Sequence, residues 1–158
     1  MNKKGLKFIL TALLVLVVTG YVYPAEPDFR GTKGEYVELV NKEIKIAISL
    51  LEDGQAHYFN TRLPDSSIVY FFVIKSSDGK YRAALNGCQV CGGARQGFRQ
   101  EGDSMVCNTC GNRYPLNRIA TEKGGCNPAP INPDLKVTGG MVSITLADLE
   151  EGVLKNVY

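Results

Sequence analysis

The chain has 158 residues, 18 Lys+Arg against 16 Asp+Glu, and a formal charge of +2. That length holds one domain, or one domain with an appendage, and excludes a multidomain enzyme. Apolar residues at 44% and charged residues at 22% exclude wholesale disorder, and a single His excludes any site built from several histidines.

Lys3, Lys4 and Lys7 precede an uncharged stretch from residue 8 to residue 25. Residues 1–7 read as a positive n-region and residues 8–18 (FILTALLVLVV) as an apolar h-region. The uncharged stretch is also just long enough to span a bilayer, with Tyr21 and Tyr23 suited to an interface. Residues 1–25 are therefore expected to be a signal peptide or an N-terminal apolar helix that anchors the chain in a membrane. Either one puts the rest of the chain outside the cytoplasm, in a periplasm or at a cell surface, because the lysines stay inside. Beyond residue 25 there are 15 Lys+Arg and 16 Asp+Glu, a formal charge of −1. The basic excess thus belongs to the targeting segment, and no nucleic-acid partner is expected.

Residues 26–42, polar with Pro and Gly, read as a linker, and residues 43–158 as a small β domain, sandwich-like in its sheet packing. Ile44, Ile46 and Ile48 alternate with Lys45, Ala47 and Ser49, the period of a half-buried strand. Residues 52–54 (EDG) signal a turn, and residues 56–61 (AHYFNT) a further strand. Residues 67–74 (SIVYFFVI) are nearly all β-branched or aromatic, which marks a central strand. The SSDG of residues 76–79 predicts a hairpin loop, with 80–85 as the returning strand.

Residues 86–130 change character, with Gly, Cys, Asn and Pro dominant and little apolar periodicity. Such a segment cannot build a core of its own, so something other than packing must order it. Alternation returns at 141–146. Residues 46–54 (IAISLLEDG) and 144–152 (ITLADLEEG) echo each other, which predicts two similar strand–turn–strand units flanking the Cys-rich insert.

That insert holds the chemistry. Cys88-Gln-Val-Cys91-Gly92 and Cys107-Asn-Thr-Cys110-Gly111 are two C-x-x-C-G knuckles, with fifteen residues between Cys91 and Cys107. The spacing fits a four-thiolate metal site. Two residues between thiolates let one tight turn aim both sulfurs at one ion, and the following Gly permits the backbone conformation this needs. Four soft thiolates suit an iron–sulfur cluster, a single iron or, as the alternative, zinc. They would also order a core-poor segment. Structural or redox disulfides are the competing reading, since thiols outside the cytoplasm tend to oxidise. Covalent c-type haem is excluded, because Gly and not His follows each pair.

Cys126, in a rigid GGCNPAP loop, is a candidate added ligand, replacing one knuckle thiol or serving a second metal. His57 is a candidate ligand beside it. Met105 reads as an apolar neighbour of Cys107. Arg95, Arg99, Arg113 and Arg118 surround the knuckles and read as a solvated loop. No Gly-rich phosphate loop and no G-x-S-x-G elbow appears, so neither nucleotide binding nor a catalytic residue is assigned.

The run from Cys88-x-x-Cys91 through GFRQEGD (97–103), MVCN-x-CG (105–111) and GGCNPAP (124–130) resembles the FtrD-like membrane iron–sulfur proteins. The stretches around His57-Tyr58-Phe59 and Phe71-Phe72-Val73-Ile74 are similar to the same family. The resemblance implies a membrane-associated, extracytoplasmic domain with an iron–sulfur or other thiolate-metal centre. It also implies electron transfer or metal handling, beside a membrane permease or redox partner of a bacterial iron-uptake system or in respiration. Larger members carry several transmembrane helices ahead of the domain, and this chain has one at most. A non-catalytic metal protein is the reading; a structural zinc-ribbon interaction module and a thiol–disulfide oxidoreductase are the alternatives.

Overall fold

The computed structural model describes residues 28–122 and 125–153. The expected signal peptide or anchor helix, residues 1–25, lies outside them. Among the described residues, no helix is long and apolar enough to cross a membrane.

The architecture is mainly β, as expected. A two-residue strand β1 (Glu35–Tyr36) is followed by β2 (Glu43–Ala47), β3 (His57–Arg62), β4 (Ile68–Lys75) and β5 (Tyr81–Leu85). The Cys-rich segment carries β6 (Phe98–Glu101), β7 (Ser104–Cys107) and β8 (Arg113–Pro115). Then come β9 (Pro130–Ile131), β10 (Lys136–Thr138), β11 (Met141–Thr145) and helix α1 (Leu146–Val153). The strands form three sheets, in the orders β1-β3-β4-β5-β9, β10-β11-β2 and β6-β7-β8.

The five-stranded sheet is the middle layer, and β4 shows why. Successive side chains of a strand point to opposite faces. Val69, Phe71 and Val73 join a core with Ile44 and Ile46 of β2, Val142 and Ile144 of β11, and Leu149 of α1. Phe72 and Ile74 face the other way, into a second core with Phe98, Met105, Leu116 and Ile119 of the Cys-rich segment. A strand covered on both sides needs apolar residues at every position, and that accounts for the unbroken run. Each such side chain, fully buried, contributes about 1.5–3 kcal/mol.

Three expectations change. Residues 86–130 are ordered in part by packing after all, because their apolar residues use the far face of β4 and β5 as the core they cannot supply alone. Part of the expected linker lies against the middle sheet. Phe29 is buried and stacks on Tyr70 at 4.2 Å between ring centroids, and β1 pairs in parallel with β3.

The internal echo does not give two like units. β2 and β11 are antiparallel neighbours, with Ile46 opposite Val142 and Ile44 opposite Ile144. After β2 the chain turns into β3, whereas after β11 it enters α1. Thr145 and Asp148 decide the difference. The Thr145 amide donates to the Asp148 carboxylate at 2.8 Å, and the Asp148 amide donates to Thr145 Oγ1 at 3.2 Å. This reciprocal pair is a capping box, which satisfies amides that a helix start leaves without partners. The first copy has Ala47 and Leu50 at the equivalent places and cannot cap a helix in this way.

Candidate metal centre

The thiols are delivered by three stretches of chain. β5 runs on through Asn86 and Gly87 into Cys88, with the Asn86 amide bonded to the Tyr70 carbonyl at 2.8 Å. The first knuckle closes with the Cys91 amide donating to Cys88 Sγ at 3.0 Å. Gly92 then starts a short 3-10 turn, Gly92–Ala94, and the left-handed residue that ends it is Arg95 (φ 54°), not the glycine.

β7 brings in Cys107, opposite Phe98 of β6. In the second knuckle Gly111 takes φ +75° and its amide donates to the Cys107 carbonyl at 2.9 Å. A left-handed glycine after the knuckle is therefore realised here and replaced by Arg95 in the first. Cys126 arrives by sheet pairing. β9 lies against β5, with Ala84 opposite Pro130, and the ladder continues as the Ala129 amide donates to the Gly87 carbonyl at 3.1 Å. The turn before β9 is thereby held beside the first knuckle.

Asn86 locks the insert to the sheet. Its side chain is fully buried, accepts from the Phe98 amide at 2.7 Å and donates to the Thr32 carbonyl at 2.9 Å. A Cβ on Gly97 (φ +63°) would meet Asn86 Oδ1 at 2.5 Å, so this position needs glycine both for its backbone and for its space. Tyr58 donates to the Phe98 carbonyl at 3.1 Å, and burial raises its hydroxyl to about 12. Gln100 accepts from the Ala56 amide at 2.6 Å and donates to the Gly54 carbonyl at 3.1 Å. From β5, the buried Arg82 donates to the Ile119 carbonyl at 3.2 Å and pairs with Asp78 at 2.7 Å. Sequence reasoning did not single out these tethers. The one available signal was a cation, Arg82, within an otherwise apolar returning strand, since buried arginine is rare unless paired.

All five cysteines are free thiols. They fall into two groups whose sulfurs lie within 4.8 Å of one another: Cys88, Cys91 and Cys126, and Cys91, Cys107 and Cys110. Cys91 belongs to both, with its sulfur 4.0 Å from that of Cys126. Cys88 and Cys107 are buried beneath the site, at 1% and 2% exposure, whereas Cys110 is exposed. A water-sized cavity of about 10 Å³ lies behind Cys88 and Cys107, bordered by Phe29, Asn86 and Phe98.

Electrostatics separate the thiols. Loss of water contact raises Cys91 most strongly, aided by the sulfurs of Cys110 and Cys126. Burial also raises Cys107 and Cys126. Cys110 is lowered instead, first by the backbone N–H of Asn112, which stabilises a thiolate. Backbone N–H groups of Thr109 and Cys110 point at Cys107 as well. Uncharged thiols crowded together, with Cys88 and Cys107 buried, gain little from one another. A cation bound among them would take up the charge of their thiolates, so the donor set fits a soft metal.

His57, the other candidate ligand, is not brought into this set. Its Nε2 lies 2.9 Å from Asp53, a turn residue four positions earlier, and no cysteine group includes it. Its neighbour on β3, Tyr58, is the residue whose side chain reaches the insert. Met105 is a fully buried apolar neighbour, as expected. The arginines form surface pairs: Arg99 and Arg113 with Glu101, and Arg118 with Glu122. Exposed pairs of this kind contribute little to stability.

Residues 51–155 match the family model described as membrane iron-sulfur containing protein FtrD-like. No curated protein and no solved structure matches the chain.

Proposed function

The chain belongs to the FtrD-like family of membrane iron-sulfur containing proteins, and from that premise we propose that it carries a thiolate-bound iron centre for electron transfer or metal handling. The observation that carries this reading is the convergence of all five thiols from three separated stretches of chain. The ligands would be Cys88, Cys91, Cys107, Cys110 and Cys126. When bound, an iron or iron–sulfur centre supplies reversible one-electron chemistry. The chain's own residues hold the thiols in place, keep water from Cys88 and Cys107, and aim backbone N–H groups at the sulfurs of Cys88, Cys107 and Cys110. Such N–H···S bonds and such burial are the protein's means of setting a redox potential. Cys110, at the surface, gives the centre an edge that a redox partner can approach.

The family description supports work at a membrane, and the lysine-flanked apolar segment supports an extracytoplasmic position with a permease or redox partner of an iron-uptake system. A second reading, a structural zinc ribbon, is favoured by one observation. The second knuckle joins β7 to β8 of the small sheet β6-β7-β8, an arrangement that a closed four-thiolate zinc would also stabilise.

Metal and sulfide analysis with a visible spectrum, on protein purified without oxygen, separates the readings. Iron with thiolate-to-metal absorption that bleaches on reduction is the expected result. A colourless protein with zinc alone would select the ribbon. A metal-free protein that folds and cycles its thiols would select the oxidoreductase and remove the proposal.

A further inference from the structure

The five thiols are not arranged as one four-thiolate site with a spare. A tetrahedron of thiolates about 2.3 Å from one ion places every pair of sulfurs about 3.8 Å apart. Four mutually close sulfurs are therefore the mark of a single-ion site. Here the sulfurs fall within 4.8 Å of one another in threes, and the two threes meet at one atom, Cys91 Sγ. Cys88 and Cys126 complete one three with it, Cys107 and Cys110 the other. We propose that the centre has two metal positions, one held by Cys88, Cys91 and Cys126 and the other by Cys91, Cys107 and Cys110, with the Cys91 sulfur shared between them.

The topology makes this partition a consequence of the fold. The sheet pairing that places Cys126 runs through β5 and β9, the same β5 that leads into Cys88. Those thiols are therefore fixed to the middle sheet. Cys107 and Cys110 are fixed to the small sheet through β7 and β8. Cys91, at the far end of the first knuckle, is the thiol that reaches both. A thiolate sulfur has lone pairs enough for two soft cations. Charge favours the same answer. With all five thiols ionised, two divalent ions leave a formal charge of about −1, and one ion leaves about −3, on a site whose inner thiols have lost most of their water. Each position has three protein donors and one place free, the form of a site that can accept a further ligand such as sulfide or water.

This inference rests on the proposed thiolate-metal function but fails separately from it. Co2+ alone, with no sulfide, titrated without oxygen into the reduced full chain, is the probe. The expected result is thiolate-to-cobalt absorption that grows to about two ions per chain. The paramagnetic signal of the first ion should weaken as the second binds, because a shared sulfur couples the two spins. Cys126→Ser should lose one ion and that coupling, and Cys91→Ser should lose both ions. Saturation at about one ion, unchanged in Cys126→Ser, overturns the two-position centre and leaves the metal function standing. No cobalt absorption at all overturns both. The stoichiometry of the unaltered chain decides the matter even where a serine variant fails to fold.

Discussion

Asp78 shows how one side chain can tie the hairpin of the middle sheet to the Cys-rich segment. It accepts from Ser76 Oγ at 2.5 Å and from Arg82 at 2.7 Å, and these partners, Ser76 first, hold its carboxyl down from an ordinary 3.8 to about 2. Arg82 in turn is 5% exposed and donates to the Ile119 carbonyl. A carboxyl whose folded pKa is depressed contributes stability above its unfolded pKa, and that contribution disappears as pH falls through the folded value. Between about pH 4 and pH 2 the chain should therefore lose stability through Asp78. Urea midpoints measured across that range should fall less steeply in Asp78→Asn than in the unaltered chain. Equal slopes would mean that Asp78 is not a source of the acid sensitivity.

At the scale of elements, the two echoing segments show how few residues separate a helix from a turn. Both begin as strands in the same sheet, and both carry acidic residues before a glycine. Only the second has Thr145 and Asp148 three apart, and only there does the chain cap and continue as α1. α1 then buries Leu149 in the first core. A helix of eight residues is too short to persist unaided, so it depends on its cap and on that contact. Thr145→Ala should lower the unfolding free energy by about 1 kcal/mol. Calorimetry or a denaturant titration checks the size, and Thr145→Ser should restore most of the loss. The T-x-x-D of residues 145–148 is a cap signal in the sequence itself, and the echo with residues 46–54 hides it behind a strand–turn–strand pattern.

For the whole molecule, the middle sheet divides two layers held by different forces. On one side β2, β11 and α1 pack a mainly apolar core. On the other, the Cys-rich segment combines a few apolar residues, the Asn86, Tyr58 and Arg82 tethers, and the thiols. Structural metal in small thiolate sites is worth on the order of 10 kcal/mol, more than any one of those tethers. Removing metal from the loaded protein should therefore loosen the second layer before the first. Hydrogen exchange after chelation should accelerate mostly in β6, β7 and β8, and much less in β2 and β11. Uniform acceleration in both layers would show that the molecule opens as one unit, and no acceleration would show that packing alone holds the insert.

The sequence by itself determined the parts of this protein whose signal is local. Strand periodicity placed β2, β3, β4, β5 and β11 to within a residue or two, because alternation and β-branched runs follow from the pleat of a single strand. The C-x-x-C-G spacing singled out Cys88, Cys91, Cys107 and Cys110, since the turn that aims two thiols at one point is itself local. Cys126 could be named as a candidate, but its place depended on β9 pairing with β5, a contact between residues far apart in the chain. For His57, too, the fold decides its surroundings. Its nearest acid, four residues back across a turn, faces it, and the sheet turns its neighbour Tyr58 toward the insert. Only the tertiary structure brought Cys91 to the junction of two thiol groups, because strand pairing in two different sheets, and not spacing along the chain, sets which sulfurs meet.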